Sequence, residues 1–160
     1  MKILTTLVLA LMTAACSSVG SKNVQEVQVT NSVVYTESFD TVWEDAIEWF
    51  AINNIPIDKI DKESGLLTSE YGLGANQDIV NCGEPTGNIG LYTAKFDGTY
   101  ANINVLIRQR DNGTRATINV FGNAQVSLRN GYGLVGESVT KCHSTGSLEN
   151  RFHGFVSGNS

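Results

Sequence analysis

The sequence predicts an α+β fold: a single antiparallel β-sheet with an N-terminal amphipathic helix and a short C-terminal helix packed on one face. Three observations carry this. Val42, Trp43, Ala46, Ile47, Trp49 and Phe50 recur at helical spacing. Ile103, Val105 and Ile107 alternate with polar residues, as do Ala116, Ile118 and Val120 beyond an Asp111-Asn112-Gly113 turn. Leu148, Phe152, Phe155 and Val156 then form a second helical stripe. At 160 residues one domain is expected, and helices on one face of an antiparallel sheet bury all three apolar surfaces together.

The chain opens on a leader, which is set apart from the fold. Met1-Lys2 supplies a positive start, and Ile3 to Met12 is an apolar run broken only by Thr5 and Thr6. The run falls short of the ~20 apolar residues that span a bilayer as helix, so residues 1–15 read as a signal peptide. Thr13-Ala14-Ala15 before Cys16 resembles the lipobox of lipoprotein signal peptides, with Thr13 where Leu is usual. Cys16 is therefore the expected lipidation site, against ordinary secretory cleavage with an incidental cysteine. Ser17 resembles the outer-membrane sorting residue of diderm lipoproteins. The implied location is the outer membrane, lipid-anchored and facing the periplasm.

Residues 16–28 are polar and read as a lipidated tether, with residues 29–160 as the globular domain. Val33 to Phe39 reads as a strand. Asp40 or Thr41 is the expected N-cap of the first helix, Thr41 and Glu44 having capping-box spacing. Asn53-Asn54 and Pro56 end it. Ile57–Asp61 and Leu66–Tyr71 are expected strands around a Lys62–Gly65 turn. Residues 72–93 read as a long glycine-rich loop, either the recognition surface, with Asn76, Asp78, Glu84 and Asn88 as its polar contacts, or an insertion without a role of its own. Tyr92 to Tyr100 reads as a strand before the alternating pair, and Val126 to Val139, with three glycines, as an irregular segment. Ser144-Thr145 are the expected caps of a terminal helix from about Ser147.

Charge and cysteines narrow the function. Removing Lys2 with the leader leaves ten basic against sixteen acidic side chains, a formal charge of −6. That argues against nucleic acid and against electrostatic docking on anionic lipid. With Cys16 acylated, Cys82 and Cys142 form a disulfide pair in an oxidising compartment. The alternative is a metal site from Cys82, Cys142, His143 and His153, but metal-ligand spacing is missing, and no metal or other cofactor is expected.

Catalytic patterns are equally sparse. Ser144 lies beside His143, yet no Gly-x-Ser-x-Gly elbow exists, and both histidines read as surface or capping residues. Asp58 with Asp61 and Glu44 with Glu48 fit solvated faces, Gly72-Leu73-Gly74 is too short for a phosphate loop, and Asn112-Gly113-Thr114 serves the hairpin turn.

Two stretches carry a resemblance: Phe39-Asp40-Thr41-Val42-Trp43 on to Ile57, Ile60-Asp61 and Ser64-Gly65-Leu66-Leu67, and Cys142-His143-Ser144-Thr145-Gly146-Ser147-Leu148-Glu149. Together they resemble small proteobacterial outer-membrane lipoproteins, which are in turn similar to the helix-grip domains of the C subunit of the β-barrel assembly machine. The resemblance covers roughly residues 33–71 and 100–156. It implies a helix-grip-like fold and structural roles for the Trp43 helix face, the Gly65 turn and the cysteine pair, and it brings no catalytic residue. Unlike that subunit, this chain has one such domain and no long unstructured segment before it. The expected function is a non-enzymatic protein-interaction or scaffold module at the outer membrane, with an envelope protein as partner. The alternative is a lipoprotein binding a small ligand or a glycan such as peptidoglycan, with the sheet face and the 72–93 loop forming its cleft.

Overall fold

The computed structural model describes residues 19–73, 78–88 and 90–158. The leader, Cys16 and Asn76 lie outside the described residues. The elements run β1 (Gly20–Lys22), β2 (Ser32–Tyr35), α1 (Phe39–Ile52), β3 (Lys59–Asp61), β4 (Leu66–Gly72), β5 (Val80–Asn81), β6 (Glu84–Thr86), β7 (Thr93–Arg110), β8 (Gly113–Asn130), β9 (Gly133–Ser144) and α2 (Ser147–Val156). The fold is α+β, mostly antiparallel sheet with two helices. The main sheet has the order β3-β4-β7-β8-β9-β5, with β2 also on β8; β1 and β6 form a separate two-stranded ribbon.

The first helix packs on β7 and β8, and the second on β8 and against the first. The core joins Leu67, Ile103, Val105, Ile107, Ala116, Ile118 and Val120 of the sheet to Val42, Trp43, Ala46, Trp49 and Phe50 of α1 and to Leu148, Phe152 and Val156 of α2. Trp49 is the hub. Its ring meets Phe50 and Phe152 edge-on, each at 5.3 Å between centroids, a favoured aromatic geometry.

Several boundaries differ from the sequence-based expectation. The first helix starts at Phe39, with Ser38 as N-cap rather than Asp40 or Thr41: the Ser38 hydroxyl accepts from the Thr41 amide at 3.2 Å. The preceding strand accordingly stops at Tyr35. The Lys62–Gly65 turn depends on Gly65, which has φ +61° and whose carbonyl accepts from the Ile107 amide at 2.8 Å. A Cβ there would collide with the Ile107 carbonyl. Asp58 and Asp61 serve this region. Asp58 accepts from the Glu70 amide, and Asp61 accepts from the Ser64 amide at 3.0 Å, which holds its carboxyl below the usual range.

The largest correction concerns Val126–Val139, which is regular. Its first residues complete β8, Gly131-Tyr132 make a turn, and β9 returns along β8. Gly133 leaves this turn at φ +131°, as Gly113 leaves the preceding one at φ +133°. Both are positions that L side chains rarely occupy, so these glycines shape a hairpin rather than break a strand. Tyr92–Tyr100 and the alternating run beyond it are one strand, β7, interrupted by a bulge at Asp97. The bulge moves the buried positions from Ala94 to Thr99 and Ala101, which hides the continuity from a period-two reading.

The segment read as a tether is also structured in part. Gly20–Lys22 pairs antiparallel with Glu84–Thr86 of the expected loop. The ribbon lies over the far part of the sheet, where Ser21 and Thr140 hydroxyls meet at 2.6 Å. Much of the 72–93 loop is likewise held in place: Leu73, Ile79 and Val80 are buried, and β5 pairs with the end of β9.

Candidate functional site

A cleft in the molecule follows from how β8 uses one edge. Along Thr114–Thr117 that edge pairs with β2, and the Ile118 amide donates to the Asn31 carbonyl at 2.8 Å. From Phe121 onward the same edge pairs with β9, beginning at His143. Between these partners the sheet is interrupted beside Asn119 and Val120. The chain at Glu26–Asn31 passes across the gap, leaving a cavity of about 650 Å³.

The opposite wall is Lys141–Ser144, and Glu149 of α2 closes the inner end. That wall is fixed from several sides. Cys142 is bonded to Cys82, with a Cα–Cα distance of 4.2 Å, so both sulfurs are consumed and the thiolate metal alternative falls away. The Ser144 hydroxyl donates to Glu149 Oε2 at 2.8 Å and accepts from the Gly146 amide at 2.9 Å. Gly146, at φ +83°, is the actual N-cap of α2 and packs beside Val29. Ser144 and Thr145 therefore support the helix start without being its cap.

The cleft is polar and aromatic. Asn31 Nδ2 donates to Asn119 Oδ1 at 2.8 Å. Asn123 and Gln28 add two further amides, and Phe121, 46 % exposed, provides an aromatic surface. His143 Nδ1 stands 3.8 Å from Glu26 Oε1, both side chains open to solvent, a pairing of little energetic weight.

Of the residues expected to form a recognition loop, the three described ones, Asp78, Glu84 and Asn88, stand apart from one another. Glu84 sits in the ribbon, 3.7 Å from Lys22 Nζ. Asn88 accepts from the Ala94 amide at 2.6 Å, closing the approach to β7. Asp78 borders a separate recess of about 320 Å³ with Asn53, Tyr71 and Arg151, and its carbonyl accepts from the Thr145 hydroxyl at 2.6 Å. The cleft residues were missed because they come from three distant stretches. One signal was present: Phe121 occupies a polar-parity position, out of step with Ala116, Ile118 and Val120.

His153 is a second correction. It is buried rather than on the polar side of its helix. Its Nδ1 lies 2.6 Å from the Tyr35 hydroxyl, and its Nε2 is buried without a hydrogen-bond partner among the described residues. Burial pushes its pKa below 6.5, while the Asn31 backbone, short of a well-formed bond, pulls the other way. Burial also raises Tyr35 to about 12, opposed by the Ser157 hydroxyl and aided by the Glu37 charge. The hydroxyl therefore stays protonated at neutral pH and can donate to Nδ1.

Among the described residues no three His, Cys, Asp or Glu side chains cluster as metal ligands, and no helix is long and apolar enough to cross a membrane. No family model matches the chain, and no curated protein matches it.

Proposed function

We propose that this chain is a lipid-anchored lipoprotein of the bacterial envelope, held at the outer membrane on its periplasmic side, and that it is a non-catalytic docking module. The address is supported by the leader ahead of Cys16 and by the fully buried Cys82 sulfur pairing, which suits an oxidising compartment. A main antiparallel sheet with two helices packed against it supports the helix-grip reading.

One observation carries the docking role: the outer edge of β9. On its inner side β9 pairs with β8 from Gly133 to His143, whereas on its outer side β5 reaches only His143 and Ser144. From Gly133 to Lys141 no described strand covers that edge. This stretch contains no proline and carries Leu134, Val135 and Val139, 50 %, 51 % and 72 % exposed. An edge of this kind is a template for strand addition, with main-chain bonds for affinity and alternate side chains for specificity. The partner is an extended apolar segment of another envelope protein.

Two measurements test the reading. Mass spectrometry of the native N-terminus should find diacylglycerol on Cys16; an unmodified cysteine removes the address. A photo-crosslinking residue at Val139 should trap one discrete adduct in intact cells, while the same probe at Ile60, on the opposite edge strand, should not. Equal labelling at both positions removes the docking role.

A further inference from the structure

The cleft beside Phe121 has no part in edge docking, and its chemistry is of another kind. We infer that it binds an N-acetylated amino-sugar chain. A cavity of about 650 Å³ falls within the ~300–1,000 Å³ of small-molecule sites. The side-chain amides of Gln28, Asn31, Asn119 and Asn123 each carry two donor hydrogens and an acceptor oxygen; one Asn31 donor is spent on the Asn119 oxygen, and the remaining groups suit the adjacent hydroxyls of a pyranose. The Asn31–Asn119 bond fixes two of them beforehand, and such preorganisation lowers the ordering cost of binding.

The Phe121 ring gives the apolar face of a sugar a surface to lie on. The Val27, Val29 and Val120 side chains at the same cavity suit an acetamido methyl group. Charge excludes other ligand classes: Glu26 and Glu149 outnumber Lys141, so phosphate-rich and carboxylate-rich ligands meet no cationic surplus. The lining carries four amides beside Val27, Val29, Val120 and Phe121, so an extended peptide in the sheet gap is the competing occupant that the test must separate from a sugar. This inference stands independently of the edge reading, which concerns the other side of β9.

The test is titration of the purified full-length chain with the β-linked trimer of N-acetylglucosamine, followed by amide NMR. Saturable shifts are expected at Asn119–Asn123 and Lys141–Ser144. Maltotriose, lacking the acetamido groups, should bind at least about tenfold more weakly. Phe121→Ala should weaken trimer binding on the order of tenfold while the chain stays folded with only a small drop in melting temperature, because the ring is half-exposed. Asn119→Ala should act in the same direction. Val139→Asp on the β9 edge should leave sugar binding intact, which separates this inference from the docking role. The inference is overturned by the absence of saturable shifts, by equal affinity for both trisaccharides, by Phe121→Ala binding as well as the parent chain, or by an extended peptide occupying the cleft in place of the sugar.

Discussion

At one end of the β7–β8–β9 meander the sheet is covered by Trp49, Phe50 and Phe152, each at most 1 % exposed. At the other end its cover is the β1–β6 ribbon. There the contacts are between small groups: Gly87 lies over Ala94 and Leu128, Gly136 beneath Val19, and Ser21 against Thr140. The Ser138 hydroxyl is buried without a hydrogen-bond partner among the described residues. The same strands are thus stabilised by large aromatic burial at one end and by thin packing at the other, with the Cys82–Cys142 bond near the transition. Hydrophobic stabilisation scales with the area removed from water, so the aromatic end should dominate the equilibrium stability and the ribbon end should open first.

Substitutions can break this contrast. Trp49→Ala should cost about 5 kcal/mol, the upper end for a large aromatic side chain, read as a lowered urea midpoint; a loss no larger than that of a ribbon-end variant would erase the difference. Replacing Cys82 and Cys142 with Ala, which opens a 60-residue separation, should cost about 4 kcal/mol in the chain-entropy model. Hydrogen exchange should then quicken first in β5 and the end of β9.

Tyr35→Phe should cost about 1–3 kcal/mol, because His153 Nδ1 is left buried and unbonded. The pair also sets two pH limbs. The folded-state pKa of His153 lies below its unfolded value of 6.5, so below 6.5 the unfolded chain binds a proton that the folded chain refuses. Stability is complete above 6.5 and declines as pH falls towards the folded pKa. Tyr35 is raised from 10.0 to about 12, so the unfolded chain deprotonates first and stability falls as pH rises through that window. Urea midpoints compared at about pH 7.5 and about pH 5.5 should differ in the parent chain and differ less in His153→Gln. The smallest effect is expected for half-buried Leu128→Ala at the ribbon end, about 1 kcal/mol, with faster exchange confined to the tips of β8 and β9. Global destabilisation there would mean that the two ends unfold as one unit.

What could be read from the sequence was what local periodicity encodes. The Trp43–Trp49–Phe50 stripe, the Ile103–Ile107 and Ala116–Val120 alternations and the Asn112-Gly113 turn each specify an element within a few residues. The Asp97 bulge defeated that reading because one extra residue reverses the buried parity. Gly131 and Gly133 suggested irregularity because a glycine in a strand run and a glycine ending a turn look alike without the partner strand. The ribbon pairs Ser21 with Pro85, and nothing local in either stretch announces the other. The cleft was hidden for the same reason, since it exists only where β2 and β9 succeed each other on β8. The cysteine pair was accessible because counting and compartment, rather than geometry, decided it.

The register of β2 has a temporal consequence. Among the described residues its only strand partner is β8, Ser32 facing Thr117 and Tyr35 facing Thr114, and α1 likewise packs on β7 and β8. A polypeptide delivered N-terminus first therefore presents two tryptophans on a helix whose sheet partners β7 and β8 start only at Thr93 and Gly113, when more than half of the chain has emerged. The meander, whose neighbours are consecutive, can assemble by itself once it arrives. During that interval the early segment is the vulnerable one, and within the folded domain holding chaperones should recognise Phe39–Ile52 first.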